Sequence, residues 1–137
     1  MPKTFPLKIA AADRLYYDGP CHSLVLPCLD GELGVLAGHE PATIALEAGE
    51  LRFTLDGVVQ VVAVGEGYAQ VGADGAVVLV GFAEDPESLD EERIRRANEI
   101  TKERVKLRQS EQEYIRLRAD LSRQMAELKV LKHRRKG

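Results

Sequence analysis

Four residues of this 137-residue chain are of the types that ligate metals or act as nucleophiles and fall within a short span: Cys21, His22, Cys28 and His39. Thiolate and imidazole side chains are the donors of structural zinc sites. Their spacing argues against that use. Side chains alternate faces along an extended strand, so in a strand running from Cys21 to Cys28 the two thiols diverge, and Cys28 shares the parity of Leu24 and Leu26. Core or surface cysteines are the plainer reading, and no metal site is expected. Two cysteines without secretory features point to reduced thiols.

Phosphate chemistry has equally little support. Gly65-Glu66-Gly67 follows an apolar run, as a dinucleotide-binding loop would, but Gln70 stands where the third glycine belongs and another strand follows instead of a helix. A hairpin is expected there. The sequence contains no G-x-x-x-x-G-K-[ST] loop. Glu84, Asp85 and Glu87 read as a solvated linker. The basic run from Lys132 to Lys136 has no interleaved aromatic residues, and the whole chain carries a net charge of -3, so no nucleic-acid partner is expected. No nucleophile, base and orienting group can be assembled, and the chain is read as not an enzyme.

The elements that must position these residues divide the chain in two. Residues 1–87 hold 4 Lys/Arg against 13 Asp/Glu, and residues 88–137 hold 15 against 9, so the two parts carry opposite charge and suit different partners. Eleven of the 12 glycines precede Ser88. In that first part, short apolar runs such as Leu24–Leu26, Leu51–Leu55, Val58–Val64 and Ala76–Val80 alternate with turn signals, including Asp-Gly pairs at Asp18, Asp30, Asp56 and Asp74. The predicted fold class is α+β: an all-β sandwich of about eight to ten strands over 1–87, followed by an antiparallel two-helix hairpin over 88–137.

The second part turns helical at Ser88-Leu89-Asp90-Glu91, an S-x-x-E capping box. Ile94, Ala97, Thr101 and Val105 recur at helical spacing, flanked by Ile100 and Leu107. A second S-x-x-E at Ser110 opens another helix of about 20 residues, along which Tyr114, Leu117, Leu121, Met125 and Leu128 trace a narrow stripe. So small an apolar stripe nearly balances the entropy of ordering the arm, which makes its docking easy to switch. No apolar run approaches the ~20 residues that cross a bilayer, and the N-terminus lacks signal-peptide features, so an intracellular, soluble chain is expected.

The segment Asp30–Pro41, DGELGVLAGHEP, resembles the signature loop of the epsilon subunits of bacterial F-type ATP synthases, the family that also holds the mitochondrial delta subunit. The likeness continues through DRLYYDG, LEAGELRF, VVAVGEGYAQV and LDEER into the helical tail. It implies a β-sandwich at the foot of the central stalk, between gamma and the c-ring. It also implies an arm that can rise to the catalytic alpha and beta subunits and restrain ATP hydrolysis. The expected location is the cytoplasmic face of the cell membrane, peripherally, through the complex alone.

By the same resemblance Glu32 faces the ring, and His39 with Pro41 approaches gamma. GHEP replaces the usual GHAP, so Glu40 alters the charge there. Read without the resemblance, Asp30-Gly31 is a turn and Glu32 a solvated tip. Arg116, Arg118, Arg123 and Lys129 form either a solvated basic face or a surface that docks on acidic loops of the beta subunits, and Lys132, Arg134, Arg135 and Lys136 extend it.

No cofactor is required, but regulatory ATP is a candidate ligand. Leu89, Asp90 and Arg93 match part of the family's [IL]-D-x-x-R-A nucleotide motif, with Glu84 and Arg123 in supporting positions. Ile94 replaces the motif alanine, and Ile100 and Glu127 stand where nucleotide-binding members carry arginines. The plainer reading has Asp90 strengthening a helix N-terminus and Arg93 pairing on the surface. The alternative for the whole chain is a free-standing binding module whose basic arm meets an acidic partner.

Overall fold

The computed structural model describes residues 3–136, with side chains to Arg134. Ten strands run β1 (Phe5–Ala11), β2 (Leu15–Cys21), β3 (Ser23–Cys28), β4 (Gly31–Leu36), β5 (Ala42–Leu46), β6 (Gly49–Leu55), β7 (Val58–Val64), β8 (Gly67–Gly72), β9 (Gly75–Val80) and β10 (Ala83–Glu84). Two helices follow, α1 (Glu91–Lys106) and α2 (Glu111–Lys136). The strands make two five-stranded sheets, ordered β2-β1-β9-β8-β5 and β10-β7-β6-β3-β4. This is the predicted sandwich followed by a helical pair.

Alternation builds the core. Phe5, Leu7 and Ile9 of β1, Leu51 and Phe53 of β6, and Ala76, Val78 and Val80 of β9 all point inward, at every second position. Leu24 and Leu26 of β3 and Val62 and Val64 of β7, in the same sheet as β6, have no exposed surface and complete the layer that faces β1 and β9. With no Trp, one aromatic contact spans the sheets: the rings of Tyr17 and Phe53 lie 4.5 Å apart.

Two expectations about local structure fail for a shared reason, that the chain changes sheets where a single strand or hairpin was read. Cys21 ends β2 in one sheet and Cys28 ends β3 in the other, with His22 at the corner donating its N–H to Thr54 O at 2.7 Å. Gly65-Glu66 likewise joins β7 to β8 across the sheets and is no hairpin. A Cβ on Gly67 would sit 1.9 Å from the Leu79 carbonyl oxygen, so only glycine lets the backbones approach this closely. The Asp-Gly pairs at Asp30, Asp56 and Asp74 do turn the chain, with positive φ at Gly31, Gly57 and Gly75. Asp18-Gly19 instead lies inside β2, where Gly19 pairs with Leu7.

The helices also start and pack differently from the reading. Pro86–Ser88 form a 3₁₀ turn capped by the Asp85 carboxylate, and α1 begins later, capped by Asp90, whose Oδ1 accepts from Arg93 N at 3.2 Å. Ser88 therefore does not cap α1. Ser110 does cap α2, accepting from Glu113 N at 3.1 Å. Met125, read as part of the buried stripe, is 52% exposed, while Ala126 and Val130 are buried against Ala63 and Phe82 of the sandwich. α2 must serve two surfaces, α1 and the sheet, and its buried face is not a single stripe. Ile100 of α1 and Leu107, which caps its C-terminus, are exposed.

Candidate functional site

β4 carries the first group of candidate residues and separates its members. Glu32 lies at the end beside the β3–β4 turn, since Cys28 pairs with Gly31 and Pro27 with Glu32. After Leu36 the chain crosses to the other sheet, and β5 starts with Ala42 paired to Val71. His39, Glu40 and Pro41 occupy that crossing. The six residues of β4 at ~3.3 Å each put roughly 20 Å between the two ends. Glu32 and the His39–Pro41 turn thus sit at opposite ends of the sandwich and can meet different surfaces. His39 Nδ1 lies 2.7 Å from the Glu40 carbonyl oxygen, and all three residues are exposed or half-buried.

Glu32 is not a free tip. Its Oε2 accepts from Arg52 Nη1 at 2.6 Å across the intervening strand β3, and this hydrogen bond holds its carboxyl below the ordinary carboxylate range. Arg52 reaches Glu50 at 3.3 Å, and Glu50 Oε2 lies 3.0 Å from His133 Nδ1 of α2. Sequence reasoning passed over Arg52, Glu50 and His133. One signal was available: Arg52 is among only four basic residues in the first 87 and sits two positions from Glu50.

The second group gathers where α2 crosses β10. Arg123 Nη2 donates to Glu84 Oε1 at 3.1 Å, its guanidinium lies 4.5 Å over the Phe82 ring, and its Nε is 3.7 Å from Glu127 Oε2. Glu84 also takes Arg14 at 3.5 Å. Glu127 is 8% exposed, and burial pushes its carboxyl pKa up despite the neighbouring Arg123. A cleft of about 620 Å³ opens beside these residues, lined in part by Gly65, Gly81, Phe82, Arg118 and Arg123. Glu84 and Arg123 are therefore brought together. Asp90 caps α1, and Arg93 is exposed.

The four cations expected to form one basic face do not share a face. At about 100° per residue, Arg116 and Arg123 point one way along α2 and Arg118 and Lys129 nearly the opposite way. Arg123 is drawn to Glu84, while Arg118 lies 5.8 Å over the Tyr114 ring and Arg116 is exposed. Lys129 lines the cleft beside Glu32 and Glu50 with Lys132. Arg134 lies 3.7 Å from Glu87, and the side chains of Arg135 and Lys136 fall outside the described residues.

Between the helices a polar ladder replaces part of the apolar seam. Asn98 Nδ2 donates to Gln124 Oε1 at 3.1 Å, Gln124 Nε2 donates to Thr101 Oγ1 at 3.1 Å, and Thr101 Oγ1 donates to the Ala97 carbonyl at 2.8 Å. Asn98 and Thr101 are buried, and every member is satisfied, so the ladder fixes the register of α1 on α2. Among the described residues no group of three or more His, Cys, Asp or Glu side chains is placed to hold a metal ion. None of their helices is long and apolar enough to cross a membrane.

Against known proteins, residues 4–86 match the β-sandwich domain of the ATP synthase delta/epsilon chain. The full length is similar to the ATP synthase epsilon chain of Ruminiclostridium cellulolyticum, 36% identical over 132 residues that cover 96% of this chain and 98% of that one. The ATP synthase epsilon chain of Caldanaerobacter subterraneus subsp. tengcongensis is 33% identical over 131 residues, covering 95% of each. Among solved structures, a chain of the Euglena gracilis mitochondrial ATP synthase, in its OSCP/F1/c-ring assembly, superposes with a TM-score of 0.74 over 100% of this chain and 84% of that one. At 22% identity this shows the shared fold.

Proposed function

Because this chain belongs to the ATP synthase delta/epsilon family, we propose that it is a non-catalytic subunit of the rotating central stalk of an F-type ATP synthase. Its sandwich joins gamma to the c-ring, and its helical arm restrains ATP hydrolysis when raised towards the catalytic alpha and beta subunits. The complex holds it peripherally at the cytoplasmic face of the cell membrane.

The observation that carries this reading is the separation of Glu32 from His39, Glu40 and Pro41 by the length of β4. A subunit that couples two bodies needs one contact at each end of a rigid element, and a strand bonded into a sheet is such an element.

The arm's attachment favours mobility. α2 meets the sandwich through Ala126 and Val130 on Ala63 and Phe82, with Val61, Ala48 and Leu89 beside them. Around that small contact stand ion pairs whose cationic partner on α2 is open to water, and exposed pairs of this kind are worth about 0–1 kcal/mol. A partner offering a few kcal/mol is enough to lift such an arm.

We further propose that the docked arm does not hold ATP in the cleft beside Arg123. A triphosphate needs several uncommitted cations, and here the Arg123 guanidinium already faces the Glu84 and Glu127 carboxylates, which leaves Arg118 as the other cation lining the cleft. Ile100, in an arginine's place, is exposed and offers no charge. The folded arm takes its anions from the chain itself.

The deciding experiment measures the ATPase rate of the cognate catalytic head with gamma, alone, with the full chain, and with a chain ending at Glu87. Slowing by the full chain, and binding without slowing by the shorter one, is the expected result. If neither binds, the stalk assignment fails.

A further inference from the structure

The outer face of the second sheet carries a line of charges whose two ends belong to different parts of the molecule. Glu32 takes Arg52 Nη1 at 2.6 Å, and the same nitrogen lies 3.3 Å from Glu50 Oε2. Glu50 in turn lies 3.0 Å from His133 Nδ1, near the end of α2. The Glu50 side chain is only 12% exposed, against 54% for Glu32 and 63% for His133. A nearly buried carboxylate thus divides its interactions between a guanidinium of the sandwich and an imidazole that arrives with the arm. Lys129 and Lys132 line the same cleft, of about 550 Å³, and Glu47 is its remaining acid.

We propose that Arg52 and Glu50 form a relay coupling the docking of the C-terminal end of α2 to the grip on Glu32. With the arm docked, His133 takes up part of Glu50, and Arg52 is left to Glu32. When α2 leaves, Glu50 turns to Arg52 and Glu32 is loosened, so a cationic group outside the chain meets a freer carboxylate. The direct fields of His133 and Lys129 act in the same direction, both holding the Glu32 carboxyl down while the arm is in place.

Linkage makes the effect reciprocal: an ionised Glu32 favours the docked arm to the same degree that the docked arm favours ionised Glu32. The outer members of the relay are exposed and screened, so the coupling is about two- to threefold. The relay uses only contacts within the chain and stands or falls independently of the stalk assignment.

The test is the titration of the Glu32 carboxyl carbon by NMR in the full chain. His133→Ala should lower the acid dissociation constant of Glu32 by about two- to threefold. Glu50→Gln, which leaves Arg52 to Glu32, should raise that constant and cut the effect of His133→Ala to less than half. Hydrogen exchange gives the reverse reading: Glu32→Gln should speed exchange in the last two turns of α2 by a similar factor. The relay is overturned by a Glu32 that titrates alike with and without His133, by an undiminished His133 effect in the Glu50→Gln background, or by unchanged exchange in the Glu32→Gln chain.

Discussion

Arg123 of α2 and Glu84 of β10, thirty-nine residues apart in the chain, meet at 3.1 Å, and the same carboxylate takes Arg14 from the β1–β2 connection at 3.5 Å. One side chain thereby ties the arm to the last and first parts of the sandwich. Arg123→Gln should loosen the arm while leaving the sandwich intact. With Arg123 48% and Glu84 28% exposed, solvent screening keeps the loss below about 1 kcal/mol. Hydrogen exchange in α2 rising about twofold or more, with an unchanged sandwich melt, is the expected outcome. Equal destabilisation of both parts would refute the assignment of Arg123 to docking alone.

Millimolar ATP should leave the melting temperature and the α2 exchange of the full chain unchanged. A ligand present at a hundred times its dissociation constant would stabilise the state it binds by about 2.7 kcal/mol, which either measurement detects. A clear upward shift would show that Glu127 and Glu84 yield Arg123 to phosphate.

The pH dependence of the arm should carry two opposed contributions. Burial raises the Glu127 pKa in the docked state. Its contribution to docking is therefore full below the unfolded carboxylate pKa and is lost as pH rises through the folded value. Glu32 works the other way: Arg52 of the sandwich holds its carboxyl down first, and His133 and Lys129 of the docked arm lower it further, so that further part favours docking above the undocked pKa and is lost as pH falls through the docked value. Glu127→Gln should flatten the loss on the upper side, seen as weaker pH dependence of α2 exchange above the ordinary carboxylate range. An unaltered profile would mean that Glu127 stays solvated when the arm docks.

Val130 has no exposed surface and belongs to the small cluster between arm and sandwich. Val130→Ala should weaken docking by about 2 kcal/mol, from lost burial and the cavity left behind. Protease nicking of α1 and α2 should accelerate while the sandwich survives digestion. Loss of the sandwich at the same rate would show that the arm is part of one cooperative unit with it.

The sandwich was legible because its strands alternate cleanly and its boundaries carry glycine and aspartate. Leu7, Leu51 and Val78 could be placed inward from period two alone. What could not be read was which strands share a sheet. The His22 and Gly65-Glu66 corners look in sequence like a continuing strand and a hairpin, because the choice between pairing onward and crossing over depends on neighbours such as Leu79 and Phe82 that are distant in the chain. The arm was legible as two helices, but its buried face was not. Ala126 and Val130 are small, and their burial depends on the position of Ala63 and Phe82. The relay through Arg52 was illegible for the same reason, since Glu32, Arg52 and His133 come from three separate elements and meet only after sheet and arm assemble.

The parallel pairing of β1 with β9, in which Leu7 lies beside Ala76, bears on how the molecule is made. A chain emerging from the ribosome cannot complete its first sheet until nearly the whole sandwich sequence is out, because the first strand waits for the ninth. Such distant pairings form slowly. The helical arm is synthesised last, and its contacts are local and quick to form, so it emerges as a ready hairpin about when the surface that receives it is finished. A pause in translation once β10 has emerged would therefore help the sandwich close before the arm's apolar residues are exposed to the cell.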